Sequence, residues 1–170
     1  MRADVKVCIM RVGGTNCDAE TRRVFEDLGV RAEVVHLNEI VKKRNLAEYS
    51  ALVFPGGFSY GDYVRAGVIW AKGIVAKLGG QLKEFVKEEK PILGICNGFQ
   101  VLIEMGLLPG FEGISQYPEA CLATNVPIGY HCRWVHVRHE NSGKCIFTSK
   151  IPKGKVMRIP VAHAEGRFIF

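Results

Sequence analysis

Cys96 stands in Gly94-x-Cys96-x-Gly98, a spacing that sets a thiol on a sharp turn between a strand and a helix. The same spacing around a serine makes a nucleophile elbow, in which small neighbours let the backbone bend and leave the reactive atom exposed. Ahead of the cysteine, Pro91 to Ile95 reads as a short buried strand. Behind it, Phe99, Leu102, Ile103 and Met105 can cover one side of a helix that begins at Asn97. A thiol at a helix N-terminus meets aligned backbone N–H groups that favour an anion. The chemistry this points to is covalent catalysis, with Cys96 as nucleophile.

A cysteine nucleophile attacking a carbonyl needs donors for the oxyanion and a group to move protons. Pro55-Gly-Gly-Phe-Ser-Tyr-Gly-Asp-Tyr-Val-Arg-Ala-Gly67 is too rich in glycine and aromatics for a bland connection, and its glycines can turn N–H groups toward a ligand. For the proton carrier, His163 and Glu165 stand two apart, which on a strand projects both to one side, where a carboxylate can orient an imidazole. The alternative is a polar pair in a strand-end turn that Gly166 punctuates. Gly13-Gly14 lacks both the dinucleotide glycine spacing and the Lys-Ser/Thr of a phosphate loop, so it reads as a tight turn. His131, Cys132, His136, His139 and Cys145 cluster in sequence without the spacing of a zinc site, so no metal is expected.

These residues need a scaffold. Val5 to Met10 is an apolar β-rich run; Asn16 or Asp18 then caps a helix with Val24, Phe25 and Leu28 on one face and Gly29 as its stop. Val30 to Leu37 and Tyr49 to Phe54 are the next strands, and Ala66 to Leu78 and Gln81 to Lys90 read as two helices broken by Gly79-Gly80. Strands alternating with helices predict an α/β fold, a mostly parallel central sheet flanked by helices. Functional groups in such sheets gather at the carboxyl ends of the strands, which places Gly13-Gly14, Gly56-Gly57 and Cys96 along one edge. The alternation changes after residue 115. Glu119 to Val126, His131 to His139 and Val156 to Ala162 read as strands, with a hairpin-like turn at Asn141-Ser142-Gly143 before Cys145 to Thr148. This is an antiparallel excursion on the α/β core.

Composition narrows the function class. At 170 residues the chain is the size of a single domain, and 48% hydrophobic with 24% charged residues describes a globular protein. The net charge of +6 is spread along the chain rather than interleaved with aromatics, which argues against nucleic acid and fits an anionic phosphorylated metabolite or an acidic partner protein. No apolar run has the length of a membrane span and the N-terminus has no secretory core, so a cytoplasmic location is expected. The six cysteines form no Cys-x-x-Cys pair, which suits a reducing compartment.

With these motifs assembled, the chain resembles the class I (triad) glutamine amidotransferases, which are flavodoxin-like. Gly94-Ile-Cys-Asn-Gly-Phe-Gln100 looks like their nucleophile motif. Pro55 to Gly67, Gly14-Thr-Asn-Cys-Asp18, Cys132-Arg-Trp134 and Pro160-Val-Ala-His-Ala-Glu-Gly-Arg-Phe168 narrow the likeness to the glutaminase subunits of phosphoribosylformylglycinamidine synthase. The resemblance implies that Cys96 forms a γ-glutamyl thioester, that N–H groups of Gly57 and Asn97 hold the oxyanion, and that Gln100 contacts substrate glutamine. It implies ammonia transfer to a synthetase subunit that uses ATP and Mg2+, with a small accessory subunit and no cofactor on this chain. It also places the family's catalytic His and Glu in a His-Pro-Glu segment beyond Phe170, so that a single amidotransferase domain truncated at its C-terminus is expected and His163 and Glu165 match a different family motif. Two other readings are an amidotransferase of another pathway and a catalytically incomplete binding subunit on the same scaffold.

Overall fold

The computed structural model describes residues 5–141, 143 and 145–170. Strands β1 (Lys6–Arg11), β2 (Arg31–His36), β3 (Ala51–Phe54) and β4 (Ile92–Gly94) form one sheet in the order β2-β1-β3-β4. All three pairings are parallel, with Cys8 beside Glu33 and Leu52, and Val53 beside Leu93. Alternation along β1 fixes what each face meets. Cys8 and Met10 join Phe54, Trp70, Ile74 and Val101 in the larger core cluster; Val7 and Ile9 join Ala32 and Val53 on the other side, with Phe25 against them. Helices α1 (Asp18–Asp27), α2 (Leu37–Lys43), α3 (Val68–Lys87) and α4 (Asn97–Glu104) connect and cover the sheet.

Several boundaries differ from those read in the sequence. Leu37 opens α2 instead of closing β2: the His36 ring Nδ1 accepts the Asn38 N–H at 3.1 Å, and Leu37 and Ile40 are both buried. The strand expected from Tyr49 starts at Ala51, because Asn45 and Glu48 form a capping box around a 3-10 turn, Leu46–Glu48. Gly79-Gly80 breaks nothing. α3 runs through both glycines, carrying buried Ala71, Ile74, Leu78, Leu82 and Phe85 at helical spacing. Burying a large apolar side chain is worth about 2 kcal/mol, so this stripe outweighs the roughly 1 kcal/mol each glycine costs. β4 is half-buried rather than buried, as the outer strand of the described sheet.

Within the one domain read from sequence the chain forms two compact units, residues up to Leu122 with Phe168–Phe170, and Ala123–Arg167. The division falls inside β5 (Cys121–Thr124) and β8 (Glu165–Ile169), which pair with each other. In the second unit β6 (His131–Arg138) runs antiparallel to β7 (Val156–His163), from His131 opposite His163 to Arg138 opposite Val156. Ser142 of the expected turn lies outside the described residues; Ile146–Thr148 is a 3-10 turn. Among the described residues no helix is long and apolar enough to cross a membrane.

Candidate active site

The turn between β4 and α4 is bent by its backbone. Cys96 has φ 53° and ψ −110°, a conformation that costs a non-glycine residue on the order of 1–3 kcal/mol and persists only where the surroundings enforce it. The enforcing contacts are close-packed main chain. A Cβ on Gly98 would run into the Phe54 carbonyl, and one on Gly94 would lie 2.6 Å from the Gly98 carbonyl oxygen. The Ile95 N–H donates to the Phe54 carbonyl at 3.0 Å and the Gly98 N–H to the Ile95 carbonyl at 2.9 Å. Cys96 therefore stands exposed at the first turn of α4.

Two further loops reach the same sheet edge. The segment after β1 is stitched to the segment after β3: Asn16 and Cys17 N–H groups donate to the Gly56 carbonyl, Phe58 N–H to Gly14 and Tyr60 N–H to Gly13. Gly14, at φ 88°, is required here because its Cα lies against the Phe58 carbonyl. The Thr15–Gly57 bridge is made by the N–H groups of Asn16 and Phe58, so it does not consume the Gly57 N–H. Gly56 sits between two thiols, a Cβ on it being 3.5 Å from Cys96 Cβ and 3.6 Å from Cys17 Sγ. Burial, and after it the neighbouring Glu20, Cys96 and Asp18, pushes the Cys17 thiol up. Cys8, buried in β1, is pushed up to about 12, chiefly by desolvation.

Asn97 joins the elbow to the glycine-aromatic loop. Its side chain is buried; Oδ1 accepts the Ser59 N–H at 3.1 Å, and Nδ2 donates to Asp62 Oδ1 at 3.1 Å and to Gln100 Oε1 at 2.9 Å. The loop between them is strained, with Tyr60, Asp62 and Val64 all at positive φ. Its far end is clamped by a fork from Arg65 onto the buried Glu104, Nε to Oε1 at 2.6 Å and a terminal nitrogen to Oε2 at 2.7 Å. The loop is thus tied to both ends of α4. The sequence reading reached the backbone of Asn97 and the side chain of Gln100 but missed the Asn97 amide. The one signal for it was a polar residue directly after the elbow cysteine.

Cys96, Gly57, Asn97 and Gln100 all belong to the first unit. His163 and Glu165 do not share a strand as spacing suggested. Ala164 interrupts the chain between them, so that His163 ends β7 and Glu165 begins β8. The His163 ring packs on Gly166, where a Cβ would collide with it, and its Nδ1 is 3.1 Å from Asn125 Oδ1. Among the described residues no three His, Cys, Asp or Glu side chains gather to hold a metal ion.

The model of the CobB/CobQ-like glutamine amidotransferase domain family matches residues 4–170. This chain belongs to that family. Phosphoribosylformylglycinamidine synthase subunit PurQ of Archaeoglobus fulgidus is 45% identical over 179 residues, covering 99% of this chain and 65% of the relative. The chain spans 59% to 67% of the length of the curated relatives it matches. Among solved structures, that of PurLQS from Thermotoga maritima superposes with a TM-score of 0.80 at 35% identity, over 98% of this chain and 69% of that one. A glutamine amidotransferase from the same organism shares the fold at a TM-score of 0.57 and 22% identity, over 99% of this chain and 64% of that one.

Proposed function

We propose that this chain is the glutaminase component of a phosphoribosylformylglycinamidine synthase. The carrying observation is the elbow: an exposed thiol held in a strained turn at the N-terminus of α4, beside a glycine loop fixed by main-chain bonds. The Cys96 thiolate attacks the side-chain carbonyl carbon of glutamine, and the tetrahedral oxyanion is held by the N–H groups of Gly57 and Asn97. Two features support that pairing. The Asn97 N–H belongs to the first turn of a helix, where no intrahelical acceptor exists, and the Thr15–Gly57 bridge leaves the Gly57 N–H unused. Gln100, its amide oriented by Asn97, contacts the substrate. Collapse of the intermediate expels ammonia and leaves the γ-glutamyl thioester, which water hydrolyses to glutamate and free thiol.

His163 and Glu165 remain candidates for the proton relay, in competition with the His-Pro-Glu segment that the family resemblance implies. The kinship with subunits named for phosphoribosylformylglycinamidine synthase supports the further step. Ammonia passes to a synthetase subunit, with which a small accessory subunit assembles. There formylglycinamide ribonucleotide is converted to the amidine with ATP and Mg2+, in de novo purine synthesis. Phe58, Tyr63 and Val64, exposed on the loop beside the elbow, suit a partner that excludes water from the ammonia's path.

In the reconstituted complex, Cys96→Ala is expected to abolish amidine synthesis from glutamine while synthesis from ammonium salt continues. Loss of both activities, or retention of the glutamine-dependent one, would overturn the assignment. His163→Asn in the same assay tests the relay: accumulation of thioester without its formation being slowed removes His163 as the base for attack.

A further inference from the structure

The β6–β7 ladder has two faces of different chemistry. His131, Arg133 and Val135 alternate onto one face together with Val161 and His163, and with Arg167 and Asn125 they line a cavity of about 270 Å3 within the second unit. Arg158 and Trp134 belong to the other face, where the guanidinium stacks 4.4 Å from the ring centroid. No carboxylate lines the cavity. Among the described residues Arg133 has no acidic partner, and Arg167 commits Nε to the Thr124 carbonyl at 3.0 Å, keeping its two terminal nitrogens.

Hydrogen bonds also decide how the two imidazoles are presented. Asn125 is buried, and its Oδ1 accepts from the Gly166 N–H at 3.2 Å; that oxygen being an acceptor, the His163 Nδ1 at 3.1 Å must donate to it. Asn125 Nδ2 donates to the His163 and Gly129 carbonyls, which fixes the amide in this sense. The His131 Nε2 donates to the Pro127 carbonyl at 3.0 Å. Each ring has spent one nitrogen on the protein and retains the other.

We propose that this cavity binds the phosphoryl group of a small phosphorylated molecule, with Arg133 and Arg167 as its charge partners and the rings of His131 and His163 beside it. Two guanidinium groups with no carboxylate among the lining residues match a dianion better than a carboxylate, because a phosphoryl group carries the charge and the oxygens to answer both forks. A volume below that of drug-sized ligand sites suits a phosphoryl group rather than a whole nucleotide. The site is independent of Cys96 and of the glutaminase reading.

Titration of the full-length protein with inorganic phosphate, against chloride of equal ionic strength, tests it through the imidazole NMR signals. Saturable shifts of the His131 and His163 rings are expected. Arg133→Gln should weaken the affinity about tenfold, the loss of one charge-assisted bond. Arg158→Gln removes the same charge from the opposite face and should leave the affinity unchanged. Arg133→Lys, which keeps the charge and loses the fork, should fall between wild type and Arg133→Gln and serves if the latter folds poorly. Methyl phosphate as a second probe separates sources: tighter binding of the ester assigns the cavity to a phosphate ester, equal binding to the free ion. Shifts that fail to saturate with either probe, or equal weakening by Arg133→Gln and Arg158→Gln, would overturn the proposal.

Discussion

At the scale of single residues, the site divides into atoms that react and atoms that hold. Cys96 and Cys17 are neighbours across Gly56, both exposed and both at the N-terminus of a helix, yet only Cys96 is held at positive φ on an elbow, while burial and then Glu20 work against the Cys17 thiolate. A glutamine-analogue chloroketone should therefore modify Cys96 first, Cys17 slowly and Cys8 not at all, as read by peptide mass mapping. Equal labelling of Cys96 and Cys17 would remove the argument from position. Asn97 is a holding residue, bonded to Ser59, Asp62 and Gln100. Asn97→Ala keeps the backbone N–H and loses those bonds, so the expected effect is a rise of about tenfold in the KM for glutamine with ammonia-dependent synthesis intact. A change confined to thermal stability would make the side chain structural only.

At the scale of elements, α3 and α4 show what glycine does in two settings. In α3 a Cβ on Gly79 or Gly80 meets nothing within 4 Å, and the helix passes through both. Gly79→Ala and Gly80→Ala should each stabilise by about 0.5–1 kcal/mol in chemical denaturation, by lowering the entropy of the unfolded chain. In α4 the reverse holds. Gly98 lies against the Phe54 main chain, where neither partner can yield, so Gly98→Ala should destabilise by about 2 kcal/mol or shift the helix and move Cys96. The glycine pattern around Cys96 was readable because an elbow demands small residues at fixed offsets. The pair in α3 looked like a helix stop because local propensity was weighed without the buried stripe from Ala71 to Phe85 that overrides it.

At the scale of the whole molecule, the parallel sheet depends on charge at its β2 side. Glu33 is bonded by Lys6 at 3.1 Å, Arg31 at 2.8 Å and Arg44 at 2.7 Å. Burial disfavours its charge, but the hydrogen bonds from Lys6, Arg44 and Arg31 outweigh it and hold the carboxyl below its ordinary value. A carboxylate depressed in the folded state contributes stability that is complete above its unfolded pKa and is lost as pH falls through the folded one. The melting temperature should therefore drop as pH falls below about 4, and Glu33→Gln should be less stable at neutral pH with a shallower acid decline. An identical acid profile for the two proteins would show that other carboxylates govern it.

The sequence alone determined the periodicities and the turn chemistry: alternating strands and helices, the elbow at Cys96, the glycine loop at Gly56-Gly57 and the antiparallel region after residue 115. These are local properties, set by residue type at fixed spacing. What spacing cannot carry is which side chain answers which across the fold. The tie of Asn97 to Asp62 spans 35 residues and the fork of Arg65 on Glu104 spans 39. His163, two residues from Glu165, donates its ring N–H to Asn125, 38 residues away. The break at Ala164 puts His163 and Glu165 on different strands, and only strand pairing decides that, because each strand is aligned by its partner and not by its neighbour in sequence.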